Sequence, residues 1–273
     1  RPTGRTCAVD ITVIGGSTGI PRTGGQHQPC SCGHGSKKNE LKPWQVDSWC
    51  IPQASARFVA KMEDVLSVYR RPYDPKRPQV CLDEIQKELR TTPRGEQALK
   101  PGQAQRQDYE YERQGTCALF LAVEPLRGFR RVWVSSRRTK IDFADVLRDL
   151  VDIVYPDAET IVLVTDNLNI HHAACLYERF SPPEARRIAE KIEWHYTPEH
   201  GSWLNIAECE LSVLKRQCLK PRLPDIKTVE REALAWQNQR NQRQVAVDWQ
   251  FTTEDARIKL KRLYPVVKVQ EST

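Results

Sequence analysis

Asp83, Asp166 and Glu208 stand in three settings that can converge on one point. Asp83 closes the apolar run Val80-Cys81-Leu82. Asp166 closes the longer run Ile161-Val162-Leu163-Val164-Thr165. Glu208 falls in a helix-like stretch from Trp203 to Leu219. A carboxylate at the end of a buried strand is costly unless something pairs with it. Two such strand ends and a helical glutamate make an oxygen-rich pocket, which is what hard divalent cations need. Mg²⁺ keeps several waters, so two or three carboxylates suffice to hold it. Two ions about 4 Å apart can both activate a water and stabilise the leaving oxygen of a phosphodiester. The expected chemistry is metal-dependent phosphoryl transfer on nucleic acid, with two Mg²⁺ ions or Mn²⁺ in their place. Without metal the three carboxylates would repel, and at least one pKa would rise.

Each residue also has a plainer reading. Asp166-Asn167 is a turn signal by itself. Glu84 and Asn167 follow the two aspartates directly, and in a continuing strand each points away from the metal side. On the helix, Glu208 shares a face with Leu204 and Leu211, which predicts burial, while Glu210 shares its face with Ala207 and Leu214.

The elements that must position these residues follow from apolar periodicity. Ala54–Tyr69 predicts an amphipathic helix. The proline-rich 70–78 predicts an extended connector. A short strand is expected over 79–83 and a polar, basic loop with a strand fragment over 86–107. Strands are expected over 116–123 and 131–135, with Gly128 turning between them. A helix over 141–155, with Asp142 in its first turn, precedes a fully apolar strand over 160–166, the pattern of a central parallel position. A helix over 183–192, with Pro183 at its first position, and a strand over 193–196 come next. Ser202 is expected to cap the helix carrying Glu208, and helices follow over 228–239 and 253–264. This order predicts an α/β fold: a ribonuclease-H-like mixed sheet with helices on both faces, plus N-terminal and C-terminal extensions. In that fold the first and fourth strands lie side by side, which makes Asp83 and Asp166 neighbours. The organisation expected is an atypical, disordered leader over 1–36, a helical linker over 37–78, a catalytic domain over 79–220 and a C-terminal helical extension over 221–273.

Bulk properties agree with a polyanionic partner. The 273 residues carry a formal net charge of +7, with 39% hydrophobic residues. No apolar stretch approaches the ~20 residues needed to span a bilayer, and the first residues lack a secretory core. Nine cysteines, several inside predicted elements, point to a reducing cytosol and no disulfide framework. Cys30, Cys32 and His34 lie close together but match no standard zinc spacing. Residues 126–140 hold six basic side chains and no acid, and 215–243 hold eight basic against three acidic. Arg130, Arg131, Arg137, Arg138, Lys140, Lys215 and Arg216 are therefore candidate DNA-phosphate contacts. The alternative is a solvated surface.

Three motifs in order resemble the DDE transposases of bacterial insertion sequences. They are Val80-Cys81-Leu82-Asp83-Glu84, Val164 to His171 (VTDNLNIH), and Tyr196 to Glu208 (YTPEHGSWLNIAE). The group they resemble is the "six-thirty" insertion sequences, relatives of the mariner elements, over about residues 37–265. The connectors Lys38 to Trp44 (KNELKPW) and Tyr73 to Pro78 (YDPKRP) add to the likeness. The resemblance implies Asp83, Asp166 and Glu208 as catalytic, metal-binding residues, with Asn167, His171 and Asn205 supporting them. It implies cleavage at element ends, joining of a 3′-hydroxyl to target DNA, and insertion at TA dinucleotides. It further implies double-stranded DNA as partner (terminal inverted repeats and target), a homodimer, and a place in the bacterial cytosol near the nucleoid. The family grips its inverted repeats with an N-terminal helix-turn-helix, which residues 1–36 do not resemble. A truncated, catalytically idle remnant that binds DNA or full-length transposase is thus the alternative. A host nuclease of the same fold, such as a junction resolvase, is a third reading.

Overall fold

The structure is a computed structural model that describes residues 7–9, 55–94, 96–97, 102 and 106–266. The leader, apart from Cys7–Val9, and the Cys30, Cys32 and His34 cluster lie outside the described residues.

The centre is a five-stranded sheet: β2 (Gln79–Thr91), β5 (Glu112–Glu124), β6 (Phe129–Ser135), β7 (Ile161–Thr165) and β8 (Ile192–Tyr196). Its order is β6-β5-β2-β7-β8. β2, β5 and β6 pair antiparallel, and β2-β7 and β7-β8 pair parallel. Two small ribbons complete the β structure: β1 (Cys7–Val9) with β9 (Val247–Trp249), and β3 (Glu96–Gln97) with β4 (Arg106–Gln107). The expected ribonuclease-H-like order, three antiparallel strands followed by parallel βα units, is present. Among the described residues no helix is long and apolar enough to cross a membrane.

The sheet separates two apolar cores, and strand parity sorts residues between them. Cys81, Val162 and Val164 point into one core. That core is filled by α1 (Ala56–Tyr69), α5 (Ile206–Gln217), α6 (Ile226–Gln242) and α7 (Thr253–Lys259). Val80, Leu82, Ile161 and Leu163 point into the other. There they meet α2 (Lys140–Asp149), α3 (Ala174–Arg179) and α4 (Pro182–Glu190). Every residue of β7 is buried, as its unbroken apolar run requires. Side chains such as Phe143, Leu147 and Leu163 have no exposure. Each contributes about 1.5–3 kcal/mol by leaving water.

The helix ends follow local chemistry. Ser55 caps α1. Thr139 and Asp142 form a reciprocal capping box at α2, as do Thr252 and Asp255 at α7. α2 runs on as a π-turn over Leu150–Val154. Gly128 turns the β5-β6 hairpin with φ of 70°, and a Cβ there would meet the Gln244 backbone at 2.7 Å. The exposed edge of β6 is closed by side chains of α6. Asn241 bonds both the N–H and the C=O of Arg130, and Gln237 accepts from the Val132 amide.

Three sequence expectations are corrected, and one helix, α3, was not anticipated. β2 does not stop at Asp83 but runs to Thr91, paired with β5 in a long hairpin. Its far half is polar because less of it is covered, so the burial pattern fades although the strand continues. Asn205, not Ser202, caps α5, accepting from the Ala207 amide, while Ser202 opens a 3₁₀ turn over Ser202–Leu204. Pro182 rather than Pro183 takes the first position of α4, after Ser181. The short helix α3 carries too few residues to show a period.

Candidate active site

β2 and β7 run parallel, with Cys81 opposite Val164. Two residues further in this register, Asp83 stands opposite Asp166. Both carry the parity of Cys81 and Val164, so both face the core that holds α5. Asp83 is mid-strand in β2, but β7 ends at Thr165, and Asp166 begins the loop. The two carboxylates therefore meet where the sheet opens on one side.

Their environments differ. Asp83 is half-buried, and desolvation pushes its carboxyl up to about 7. The charges of Glu84 and Asp166 add to that rise, while the Glu84 amide, donating to Asp83 Oδ1 at 2.8 Å, opposes it. For Asp166 burial acts in the same upward direction. Hydrogen bonding and charge from His171 outweigh it and hold Asp166 below the usual carboxylate range. The Leu168 amide also donates to Asp166 Oδ1, at 3.1 Å. Two adjacent carboxyls are thus split in proton affinity by their surroundings.

Behind Asp166 lies a buried relay. His171 is fully buried, its ring against Phe143 with centroids 4.5 Å apart. Nδ1 hydrogen-bonds Asp166 and lies 3.2 Å from Thr165 Oγ1; Nε2 pairs with Glu84 Oε2 at 2.9 Å. Burial disfavours the imidazolium, yet the two carboxylates raise His171 to about 9. Glu84 also meets Arg138 at 3.5 Å. Glu84 points to the opposite face from Asp83, as strand alternation requires, and from there it holds the histidine that holds Asp166. The sequence signal was the Asp-Glu pair ending an apolar run, but nothing in it named the partner.

Asn205 joins the third motif to this site. It is fully buried, caps α5, and donates from Nδ2 to the Leu82 carbonyl at 3.2 Å, one residue before Asp83. Tyr69 donates to the Leu204 carbonyl at 2.6 Å and fixes the same lead-in. Glu208 sits in the first turn of α5, its amide donating to the Asn205 carbonyl at 3.1 Å. Its side chain is exposed, against the expectation of burial beside Leu204 and Leu211: Leu204 belongs to the preceding 3₁₀ turn, and Glu208 stands in the first turn of α5. Among the described residues no group of three His, Cys, Asp or Glu side chains stands ready to hold a metal. The structure brings together Asp83 and Asp166; Glu208 follows the Asn205 cap that bonds β2 at Leu82, and its side chain is turned to solvent. Asn167 is half-buried beside Asp166.

Glu210 is the buried glutamate of α5. Arg130 reaches it with Nε at 3.1 Å and Nη2 at 3.0 Å, and Arg240 reaches it at 2.6 Å. Arg130 has no exposure, so it cannot meet DNA and is removed from the candidate contacts; a buried cation needs a buried anion, and it has one. Of the other basic candidates, Arg131 lies over Trp133 at 5.6 Å and Lys140 pairs with exposed Glu178 at 3.0 Å. Arg137, Lys215 and Arg216 are exposed.

The Asp83-Asp166 pair suits a hard divalent cation. It offers carboxylate oxygens side by side, with Asp83 Oδ2 free of hydrogen bonds among the described residues. The profile of the family described as DDE superfamily endonuclease matches residues 78–230, more than half of the chain. The chain belongs to the DDE superfamily of endonucleases. The matched span of this DDE endonuclease runs from the start of β2 into α6 and holds all three acidic residues.

No curated protein matches the chain. Among solved structures it is similar to a Mos1 transposase paired-end complex with left transposon end, at 15% identity and a TM-score of 0.45. That match covers 71% of this chain and 58% of the other. It is also similar to a Mos1 mariner paired end complex with Mn, at 15% identity and a TM-score of 0.46, covering 73% and 64%. The Mos1 Strand Transfer Complex matches at 13% identity and a TM-score of 0.47, covering 82% and 68%. The chain therefore spans less than two thirds of the first of these proteins.

Proposed function

We propose that this DDE endonuclease is a transposase. It would cut double-stranded DNA at the ends of an insertion sequence and join the freed 3′-hydroxyl to target DNA. The observation that supports this reading is the juxtaposition of Asp83 and Asp166 just beyond the paired stretch of β2 and β7, close enough for their charges to interact, inside the matched family span. The motif resemblance supports the bacterial "six-thirty" group, a cytoplasmic setting near the nucleoid and action as a homodimer.

Asp83 and Asp166 are the residues to hold divalent metal, with Glu208 completing the set from the first turn of α5. A bound Mg²⁺ or Mn²⁺ pair supplies charge stabilisation at the phosphodiester and a water acidic enough to attack at neutral pH. The protein's own part is positional. His171, held by Glu84, fixes the Asp166 carboxylate. Asn205 fixes the α5 terminus against β2, one residue before Asp83, and Glu208 would have to turn inward from solvent to join the pair. The partial positive charge at that terminus favours carboxylates and phosphate alike. Exposed Arg137, Lys215 and Arg216 are the remaining surface candidates for phosphate contact.

The exposed Glu208 favours one second reading: a catalytically idle relative that binds DNA without cutting it. One experiment separates the two. Purified protein with Mn²⁺ is incubated with supercoiled plasmid and with duplexes carrying the element's ends. Nicking that is lost in Asp83→Asn and Asp166→Asn supports the endonuclease; binding with no nicking supports the idle relative.

A further inference from the structure

A cleft of about 260 Å³ opens between the start of α1 and the loop after β8. Arg57 and Lys61, one turn apart on α1, line one wall, and Pro198, Glu199 and His200 line the other. Arg57 is exposed and Lys61 half-buried, and among the described residues neither has a carboxylate within ion-pairing range. Lys61 Nζ lies over the Tyr196 ring at 5.9 Å. Burial and the neighbouring Arg57 lower the Lys61 pKa, against a smaller opposing effect of Glu199. Two cations held together, with Glu199 offsetting only part of their charge, favour an anion between them.

The opposite wall is rigid and strained. His200 has φ of 60°, a conformation that L side chains seldom adopt. Gly201 is packed so that a Cβ would meet Pro198 at 2.5 Å, and its amide donates to the Pro198 carbonyl at 2.9 Å. Such strain persists where surrounding structure over-determines it, commonly at binding sites. The loop is anchored beside the carboxylates, because the Thr197 amide donates to the Thr165 carbonyl, one residue before Asp166. α1 packs on the sheet face toward which Asp83 and Asp166 point. The cleft therefore shares both the face and the strand end of the carboxylate pair.

We propose that this cleft seats a backbone phosphate of the DNA strand that runs across the Asp83-Asp166 site. Arg57 and Lys61 donate to its oxygens. Ser55, the α1 cap, closes the floor. The volume admits a phosphodiester with bound water, at ~30 Å³ per water. Glu199 offsets one of the two cations, so the contact positions a strand rather than dominating affinity. Nothing in the cleft reads a base edge, so the contact is indifferent to sequence.

This proposal rests on the endonuclease reading, and the test separates the two. Binding of the full chain to a short fluorescent duplex DNA is measured in EDTA across a salt series. Nicking of the same DNA with Mn²⁺ is measured in parallel. Wild type is compared with Arg57→Gln/Lys61→Gln, with Arg57→Lys/Lys61→Arg, and with Arg179→Gln/Arg186→Gln. The last pair removes two exposed cations from the opposite face of the sheet. The cleft variant should lose roughly 1 from the slope of log K against log salt, about 0.9 per phosphate contact. The charge-preserving pair and the opposite-face pair should keep the wild-type slope. Thermal unfolding of every variant checks the fold, and surface positions should leave it unchanged. Equal slopes for wild type and Arg57→Gln/Lys61→Gln, with wild-type nicking intact, overturn the cleft and leave the endonuclease standing. A wild-type chain that neither binds nor nicks DNA overturns both.

Discussion

Asp83 and Asp166 come together because β2 and β7 run parallel, their pairing ends at Cys81 against Val164, and each aspartate follows two residues later, near enough for the Asp166 charge to act on Asp83. Parity then sends both carboxylates to the same face. This places two like charges together at the edge of an apolar core, an arrangement that costs stability without a cation. Burial has already pushed Asp83 up to about 7, while His171 holds Asp166 down.

Removing either carboxylate should remove activity and not the fold. Asp83→Asn and Asp166→Asn are expected to lower Mn²⁺-dependent nicking by more than about 100-fold, beyond the 10–100-fold typical of groups behind a ligand. Asp83→Asn should unfold at the same temperature as wild type or higher in metal-free buffer, because it deletes a charge that burial penalises. A calorimetric scan beside a plasmid-nicking assay reads both.

Glu84 and His171 should act through Asp166. Glu84→Gln is expected to weaken metal dependence roughly 10-fold, seen as a rise in the Mn²⁺ concentration for half-maximal nicking. Saturating Mn²⁺ should restore most of the rate, which a loss of fold would not allow.

The pH dependence follows from two groups. His171, raised to about 9, contributes stability that is complete below its ordinary 6.5 and is lost as pH rises through 9. Asp83, raised to about 7, favours the folded state when protonated, so its contribution is lost between its ordinary 3.8 and 7. Both make the metal-free protein less stable with rising pH, and His171→Gln should flatten the upper part of that profile in denaturant titrations. Metal binding needs Asp83 ionised, so below pH 7 apparent affinity should fall about tenfold per pH unit.

The Arg130-Glu210-Arg240 cluster should matter for stability alone. Arg130→Gln removes two charge-assisted hydrogen bonds from the buried Glu210 carboxylate, leaves Arg240 as its cation, and is expected to cost about 1–3 kcal/mol in urea unfolding. At salt and temperature where it remains folded, its DNA-binding salt slope should match wild type, because Arg130 reaches no solvent.

Much of this was legible in the sequence because burial writes strong patterns. The unbroken run of β7, the 3–4 spacing of α1 and the place of Asp142 in the first turn of α2 each depend on neighbours close in the chain. The pairing of Asp83 with Asp166 was legible through the order of elements. The far half of β2 was hidden because an exposed hairpin loses its apolar alternation. Arg130 was misjudged because a cation paired across 80 residues looks, in sequence, like any surface arginine. Glu208 was assigned to the face of Leu204 and Leu211, but Leu204 belongs to the 3₁₀ turn before α5, so in the first turn of the helix that face lacks the apolar neighbour the assignment relied on.

The central claim is that Asp83 and Asp166 jointly hold the reaction's metal, with Glu208 joining them. Anomalous scattering from a Mn²⁺-soaked crystal of the chain tests it most directly. The expected map has a manganese peak bonded to Asp83 and Asp166, with the Glu208 side chain turned inward from its solvent position. A well-soaked crystal with no peak between the two aspartates, or with manganese held by other residues, would contradict it.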